Sequence, residues 1–246
     1  MNERRLTVTQ ALIIVNVVVF VVGLMVQKDA LLGIPFPGAD KTPIFDILCA
    51  YSWFTCFMEG QLWRLVTYQF VHANLGHIFF NMWALYFFGP AVEHAMGPRR
   101  FLLFYAVCGI AGALCSSALA EMNLYTSIPN TIQNIAICNQ LASFAGYTGT
   151  VETWQMIPLV GASASIYGVM VACAFMYPDA RISLLFPPVT LRMRTFALII
   201  LGIAAAAILF NVTNAGGEAG HLGGLLMGAL IMTIWRWRLR RKGYDV

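Results

Sequence analysis

The chain has 246 residues, of which 59% are hydrophobic and only 11% are charged. Soluble globular domains contain about 25% charged residues, so the composition excludes an ordinary soluble protein. The formal net charge at pH 7 is only +4. The distribution of Lys and Arg around the membrane segments explains this charge, so it does not indicate nucleic-acid binding.

Six apolar runs approach the length of roughly 20 residues that a helix needs to cross about 30 Å of hydrocarbon. They cover residues 8–26, 77–95, 101–120, 158–177, 196–210 and 220–235. The first run follows Arg4 and Arg5, as in a signal peptide, but no small-x-small cleavage motif follows it. We therefore expect an all-α polytopic membrane protein in which six transmembrane helices form a single membrane domain over residues 1–246.

The basic residues are distributed unequally between the two sides that six crossings would create. Twelve of the 15 Lys and Arg residues lie on the side of the termini, and only Lys28, Lys41 and Arg64 lie on the other side. Positively charged segments stay preferentially in the cytoplasm. We therefore expect both termini to be cytoplasmic in a multi-pass protein of the bacterial inner (cytoplasmic) membrane.

Two long loops are predicted on the outer side, covering residues 28–75 and 121–156. Aromatic residues in the first loop suggest a segment that lies in the membrane interface: Trp53, Phe54, Phe57 and Trp63. The second loop has no Lys or Arg and is either an ordinary connection or a functional segment.

Three cysteines fall outside the helices, where a disulfide can form: Cys49, Cys56 and Cys138. Their spacing fixes no pairing and matches no zinc motif.

Polar residues of three predicted helices fall at one depth. With the N-terminus inside, the second, fourth and sixth helices all run from outside to inside. His77, Ser163 and His221 then lie 17, 15 and 15 residues from the inner ends of these helices, at His94, Pro178 and Arg236. At 1.5 Å per residue, this is roughly 22 to 26 Å above the inner end. The three side chains should therefore meet several ångströms below the outer surface, where water can be admitted.

Ser163 and His221 are the first candidates for catalysis, because a hydroxyl and an imidazole are the minimal parts of a serine hydrolase. Both lie among small residues that let helices approach closely in lipid. These include Gly161, Ser165 and Gly168 on one helix and Gly220, Gly224 and Gly228 on the other. Such a small-residue pattern alone more often serves packing than catalysis. A polar ring buried in lipid, however, is costly and usually functional.

His77 and Asn81 are candidates for the groups that stabilise a negative oxygen. They are four residues apart and share a helix face, and His72 lies just before this helix. Hydrogen-bond donors on this face could hold the oxyanion of a tetrahedral intermediate. The alternative is that both side chains only hydrogen-bond neighbouring helices.

The acidic residues favour a Ser-His dyad over a triad. None of the eleven is predicted at the depth of Ser163 and His221, although Glu218 is only three residues from His221. Disabling the aspartate of a soluble triad costs about 10⁴ in turnover. A dyad should therefore be slow unless other groups hold the imidazole.

These residues and their spacings resemble the rhomboid intramembrane serine proteases. The matching stretches are Trp63-Arg64, HANLGHIFFN with His72, His77 and Asn81, GPAVEHAMG with Glu93, GASASIYG with Ser163, and GHLGGLLMG with His221. The resemblance implies that Ser163 is the nucleophile and His221 the general base, with His77, Asn81 and the Ser163 N–H as the oxyanion site. It further implies that Tyr167 packs against the His221 ring and that Trp63, Arg64, His72 and Glu93 are structural. Departures from the family pattern include Gly220 in place of a common Ala and a long loop 121–156.

We therefore predict an intramembrane serine endopeptidase that cleaves single-span transmembrane proteins in the bilayer near its outer face. The resemblance implies a small residue on the N-terminal side of the cut. No metal, organic cofactor or nucleic-acid partner is expected. Two alternatives remain. One is an inactive rhomboid-like protein that only binds transmembrane segments. The other is a transporter or channel, which the lack of carboxylates at the membrane centre disfavours.

Overall fold

The computed structural model describes residues 6–25, 48–125, 149, 152–184, 188–211 and 214–243. Within these ranges the main helices are α1 (Val8–Met25), α2 (Leu75–Met96), α3 (Pro98–Glu121), α4 (Ser163–Met176), α5 (Met193–Leu209) and α6 (Ala215–Arg241). Helices α1, α2, α3 and α6 are long and apolar enough to cross a membrane, whereas α4 and α5 are shorter apolar helices of 14 and 17 residues. The protein is a mainly helical, membrane-integral bundle.

Short elements connect these helices. A π-helical turn (Phe54–Met58), a helical turn (Arg64–Thr67) and a 3₁₀ turn (Tyr68–Phe70) precede α2, and a 3₁₀ turn (Thr153–Met156) precedes α4. Strands β1 (Arg181–Ser183) and β2 (Thr190–Arg192) form an antiparallel hairpin between α4 and α5. The middle of the predicted loop 121–156, including Cys138, and residues 28–47 of the predicted loop 28–75 lie outside the described residues.

The fourth apolar run is helical over only part of its predicted length. The sequence predicts a helix over 158–177, but α4 begins at Ser163. The backbone before it is extended, because Leu159 pairs with Tyr51 through two N–H···O bonds of 2.7 and 3.0 Å. Gly161 then adopts φ +116°, and its N–H donates to the Tyr68 carbonyl at 2.9 Å. Non-helical backbone at membrane depth is tolerated where protein covers it, so contacts with the preceding loop determine where α4 starts.

Helices α2, α4 and α6 run in the same direction. A Cβ atom on Gly224 would overlap the Ala164 carbonyl, and one on Gly228 would lie 2.8 Å from the Gly168 Cα. Residue numbers therefore rise together along α4 and α6. Between α2 and α4, contacts progress in the same way, from His77 beside Gly161 to the Phe88 carbonyl beside Cys173. The common direction matches the expectation from the sequence.

Helix α3 runs antiparallel to α6 and packs closely against it. Near the start of α6, the Ser116 hydroxyl donates to the Gly216 carbonyl at 3.0 Å. Near its end, Arg100 and Arg238 line one surface groove. The basic residues at the start of α3 and at the end of α6 therefore lie together, at the end of the bundle opposite Ser163.

The Glu93 side chain explains where α1 begins. Its carboxylate accepts hydrogen bonds from the Val8 and Thr9 backbone N–H groups, both at 2.8 Å, and from the Thr9 hydroxyl at 2.7 Å. The first N–H groups of a helix have no partner within the helix, and a carboxylate is favoured at this positive end of the dipole. Glu93 thus caps α1 from α2.

The described part of the first predicted outer loop, residues 48–74, folds back onto the bundle. The buried Arg64 guanidinium donates to the Ala50 carbonyl at 2.6 Å and to the Gln61 side chain at 2.5 Å. The Tyr68 hydroxyl donates to the Gly109 carbonyl of α3, also at 2.6 Å. Trp63 is 56% exposed. Arg64 therefore links Ala50 and Gln61 of this loop through hydrogen bonds, while the neighbouring Trp63 side chain faces outward.

Candidate active site

Ser163 and His221 are in direct contact. Ser163 is the first residue of α4, and His221 lies in the second turn of α6. The distance from His221 Nε2 to Ser163 Oγ is 2.8 Å. This is the reach that a general base needs to take a proton from a nucleophilic hydroxyl. The parallel packing of α4 and α6 produces this contact, because it brings the two helices together through their small residues.

The local backbone exposes Ser163 at the start of its helix. The residue before it, Ala162, provides no side-chain cap for α4. The first N–H groups of any helix lack an acceptor within the helix, and those of α4 also lack a side-chain acceptor from Ala162. Helix N-termini favour negative charge. The Ser163 N–H lies at this positive end of α4.

Two side chains hold the His221 imidazole. The Tyr167 ring stacks on it, with centroids 4.1 Å apart and an interplanar angle of 11°. The Glu218 carboxylate lies 3.0 Å from His221 Nδ1. Tyr167 was expected in this place, whereas Glu218 was not included among the predicted site residues. Its spacing of three residues from His221 was the available signal, because residues i and i+3 share a helix face.

His77 and Asn81 both flank Gly161, two residues before Ser163. A Cβ atom on Gly161 would lie 2.7 Å from His77 Nε2 and 3.6 Å from Asn81 Nδ2. A side chain at position 161 would therefore collide with the His77 ring. The positive φ of Gly161 favours glycine as well. The polar groups of α2 are therefore directed at the segment that carries Ser163.

Both α2 side chains can donate in this direction. The Ala73 N–H donates to His77 Nδ1 at 3.4 Å; in a neutral imidazole this leaves the proton on Nε2. Asn81 is buried, and its Nδ2 has no hydrogen-bond partner among the described residues. A buried donor without an acceptor costs roughly 1–3 kcal/mol. Such an unpaired donor is suited to an oxygen atom that arrives with the substrate.

The remaining predicted site residues lie next to His77, between α4 and α6, or in the folded loop. His72 is buried and packs edge-to-face on His77, with ring centroids 5.0 Å apart. Burial lowers the pKa of His72 from its ordinary value of 6.5 to about 4, so this ring stays neutral at physiological pH. Gly224 and Gly228 lie along the contact between α4 and α6. Trp63 and Arg64 lie in the folded loop.

Among the residues that the structure describes, no cluster of three or more His, Cys, Asp or Glu side chains could hold a metal ion. The groups described around Ser163 are a hydroxyl, an imidazole, a carboxylate and hydrogen-bond donors.

A family model for the rhomboid domain matches residues 59–238, well over half of the chain. The chain belongs to the rhomboid family. All the residues of the candidate site lie within the matched region of this rhomboid chain, whereas α1 precedes it. The fold of the matched region includes α2 to α6 and the loop segment from Glu59 onward.

Several known rhomboid proteins are similar to this chain. RHOMBOID-like protein 12, mitochondrial, of Arabidopsis thaliana is 30% identical over 188 residues, which cover 76% of this chain and 49% of that protein. Rhomboid protease GluP of Bacillus subtilis (strain 168) is 28% identical over 173 residues, covering 70% of this chain and 27% of that protein. Rhomboid protease AarA of Providencia stuartii is 30% identical over 176 residues, covering 71% and 56%.

The chain thus spans between about a quarter and just over half of the length of these relatives. Relatives of the rhomboid chain also include one named Inactive RHOMBOID-like protein 8, from Arabidopsis thaliana. It is 35% identical over 63 residues, which cover 26% of this chain and 18% of that protein. The family therefore contains both named proteases and a member named inactive.

Proposed function

We propose that this rhomboid protein is an intramembrane serine endopeptidase, with Ser163 as the nucleophile and His221 as the general base. The observation that carries the proposal is the 2.8 Å contact between His221 Nε2 and Ser163 Oγ. The unpaired Asn81 amide and the His77 imidazole beside Gly161 support it. The names of the protease relatives agree with it.

The proposed reaction has two halves. In the first, Ser163 Oγ attacks the carbonyl carbon of the scissile bond while its proton passes to His221 Nε2. The negative oxygen of the tetrahedral intermediate accepts hydrogen bonds from His77, Asn81 and the Ser163 N–H. The intermediate collapses when His221 gives the proton to the leaving nitrogen, which leaves an acyl group on Ser163. In the second half, water attacks this ester with His221 again acting as base, and the acid product is released.

We further propose that the substrates are single-span transmembrane proteins. A peptide bond in a helix is hydrogen-bonded and shielded, so the substrate helix must unwind before attack. Substrates with helix-weakening residues near the cut should therefore be preferred, and the family resemblance favours a small residue on its N-terminal side. The proposed topology has six crossings and cytoplasmic termini. The proposed location is a bacterial inner membrane, in line with the bacterial source of both named protease relatives.

The first test measures both cutting and covalent labelling. Purified protein in detergent should cut a single-span substrate without added cofactor and in the presence of a metal chelator. A fluorophosphonate probe should label Ser163. Ser163→Ala and His221→Ala should each abolish cutting, and the double variant should be no worse, because residues that act as one unit are not additive.

Ser165→Ala is the matched control for this experiment. The Ser165 hydroxyl lies on the same helix but donates to the Gln69 side chain at 2.7 Å, away from His221. Folded Ser165→Ala protein should therefore still be labelled at Ser163. Absence of labelling and cutting in the wild type would instead support a rhomboid-like protein that only binds transmembrane segments. Chelator sensitivity would indicate a metalloenzyme.

A further inference from the structure

We propose that Glu218 is a positioning residue that holds His221 in the tautomer and orientation that catalysis needs. This inference rests on the proposed protease function and deepens it. The sequence predicts a Ser-His dyad without a carboxylate, and the inference adds Glu218 as a group that holds the imidazole of that dyad.

The contacts of His221 form a continuous chain of hydrogen bonds. Glu218 Oε2 lies 3.0 Å from Nδ1, and Ser163 Oγ lies 2.8 Å from Nε2, on the opposite side of the ring. The His221 and Glu218 side chains are only 14% and 19% exposed. A carboxylate can only accept, so Nδ1 must carry the proton and Nε2 must present its lone pair to the Ser163 hydroxyl. This is the tautomer that a general base at Nε2 requires.

Stacking on Tyr167 cannot by itself select the tautomer and the orientation of the His221 ring. Its ring stacks nearly parallel to the imidazole, which fixes the plane of the ring. A half-turn of the imidazole within that stack exchanges the positions of nitrogen and carbon atoms and keeps the same stacking area. Only a directional partner such as the Glu218 carboxylate distinguishes the two orientations and the two tautomers.

The start of α6 also favours a charged carboxylate at this position. Glu218 lies in the first turn of α6, where the helix dipole stabilises negative charge. A carboxylate in a first turn often serves only to stabilise its helix. Here, among the described residues, the Glu218 carboxylate bonds to the His221 ring. When His221 accepts the proton of Ser163, the ring becomes cationic next to this carboxylate, so their attraction increases in the transition state.

The inference predicts a loss in turnover without a loss in substrate binding. Glu218→Ala should lower kcat by about 10²-fold, the low end of the range for positioned acid–base groups. The fall should be smaller than the ~10⁴ of soluble triads because Tyr167 still holds the ring plane. Glu218→Gln keeps the shape, but its amide can donate to Nδ1 and favour the wrong tautomer, so it should not restore activity, while Glu218→Asp should restore part of it. KM should change little, because Glu218 acts through His221.

Kinetics on detergent-purified, folded protein with a single-span substrate provide the first measurement. Glu121→Gln is the matched control, since it removes an exposed carboxylate from the end of α3 near the start of α6, and it should retain the wild-type kcat. Wild-type kcat in Glu218→Ala would overturn the inference while leaving the protease function intact. A fall in kcat that matches the fall in folded fraction would also overturn it.

Nitrogen-15 NMR of histidine-labelled protein provides a second measurement that does not depend on activity. The signals of His221 are identified by their loss in His221→Ala. Wild-type His221 should show a protonated Nδ1, and Glu218→Ala should show a mixture of tautomers. The same tautomer in both proteins would overturn the inference. If the wild type neither cuts nor labels at Ser163, the protease function fails, and this spectrum still decides whether Glu218 positions the ring.

Discussion

At the scale of single residues, the buried Asn81 side chain supports the proposed oxyanion site. Its amide Nδ2 lacks a partner among the described residues and lies next to Gly161. His77 lies on the same face of α2 and is directed at the same glycine. Because a folded protein rarely leaves a buried donor unpaired, this free amide supports the proposed role of Asn81 with substrate.

Replacing Asn81 tests this role. We expect Asn81→Ala to fold normally, since no hydrogen bond from Nδ2 within the described residues is lost. Its kcat should fall by up to roughly 10²- to 10³-fold, the effect of removing one oxyanion donor. The measurement is the turnover of a single-span substrate by folded protein.

Asn16→Ala serves as the control for this variant. Asn16 is also a buried asparagine, but it lies in α1, where its amide donates to the Leu12 carbonyl at 2.8 Å. Folded Asn16→Ala should keep the wild-type kcat. Equal turnover in Asn81→Ala and the wild type would leave Asn81 with a packing role alone.

At the scale of elements, the contact between α4 and α6 determines the distance between Ser163 and His221. Gly224 packs against the Ala164 carbonyl and Gly228 against Gly168. Small residues allow this approach in lipid, where helices gain little from burying apolar surface against each other. Displacement of either helix by even about 1 Å would take Ser163 Oγ out of hydrogen-bond range of His221.

Enlarging Gly224 tests the importance of this close packing. We expect Gly224→Ala to force α4 and α6 apart, because the added methyl group overlaps backbone atoms that cannot rotate away. The loss of stability should be at least the roughly 1–3 kcal/mol typical of overpacking, and the labelling of Ser163 by fluorophosphonate should slow in the protein that remains folded. Unfolding in detergent and the labelling rate are the two measurements.

Two other glycines provide controls for Gly224→Ala. A Cβ atom on Gly202 of α5 would meet no atom within 4 Å, and one on Gly220 of α6 would meet only the Gly112 carbonyl oxygen at 3.8 Å. We expect both Gly202→Ala and Gly220→Ala to be tolerated, with a small gain from the higher helix propensity of Ala. Equal stability of all three variants would contradict the close-contact explanation.

At the scale of the whole molecule, the bundle has one basic end and one end that carries the candidate site. The antiparallel packing of α3 and α6 brings Arg100 next to Arg238. The parallel direction of α2, α4 and α6 brings Ser163, His221 and His77 to the other end. The orientation that we propose has the basic end in the cytoplasm, in line with the positive-inside rule, and the candidate site toward the outer face.

Reporter fusions test this orientation. A reporter that is active only in the cytoplasm should be active when fused after Val246 and inactive when inserted near Thr148. The expected difference follows from the unequal distribution of the 15 basic residues. The same activity at both positions would contradict the proposed orientation.

The sequence by itself determined the class of the protein, and it predicted most of the residues of the candidate site. Length and hydropathy are local properties, so the apolar runs predicted where helices lie, and the counts along α2, α4 and α6 predicted that their polar residues share a level. The rhomboid resemblance, carried by short motifs, agrees with the family to which the chain belongs. The exact number of crossings is less directly defined, because α4 and α5 are short.

Only the tertiary structure decided the features that depend on contacts between distant residues. The start of α4 at Ser163 depends on Tyr51 and Tyr68 of the preceding loop, whose backbones hydrogen-bond to Leu159 and Gly161 and keep them out of the helix. The pairing of Glu218 with His221 became visible only because α6 begins at Ala215, before the predicted apolar run. Hydropathy cannot locate such a start, because a polar first turn inside a bundle is stabilised by side chains and helix ends that other segments bring to it.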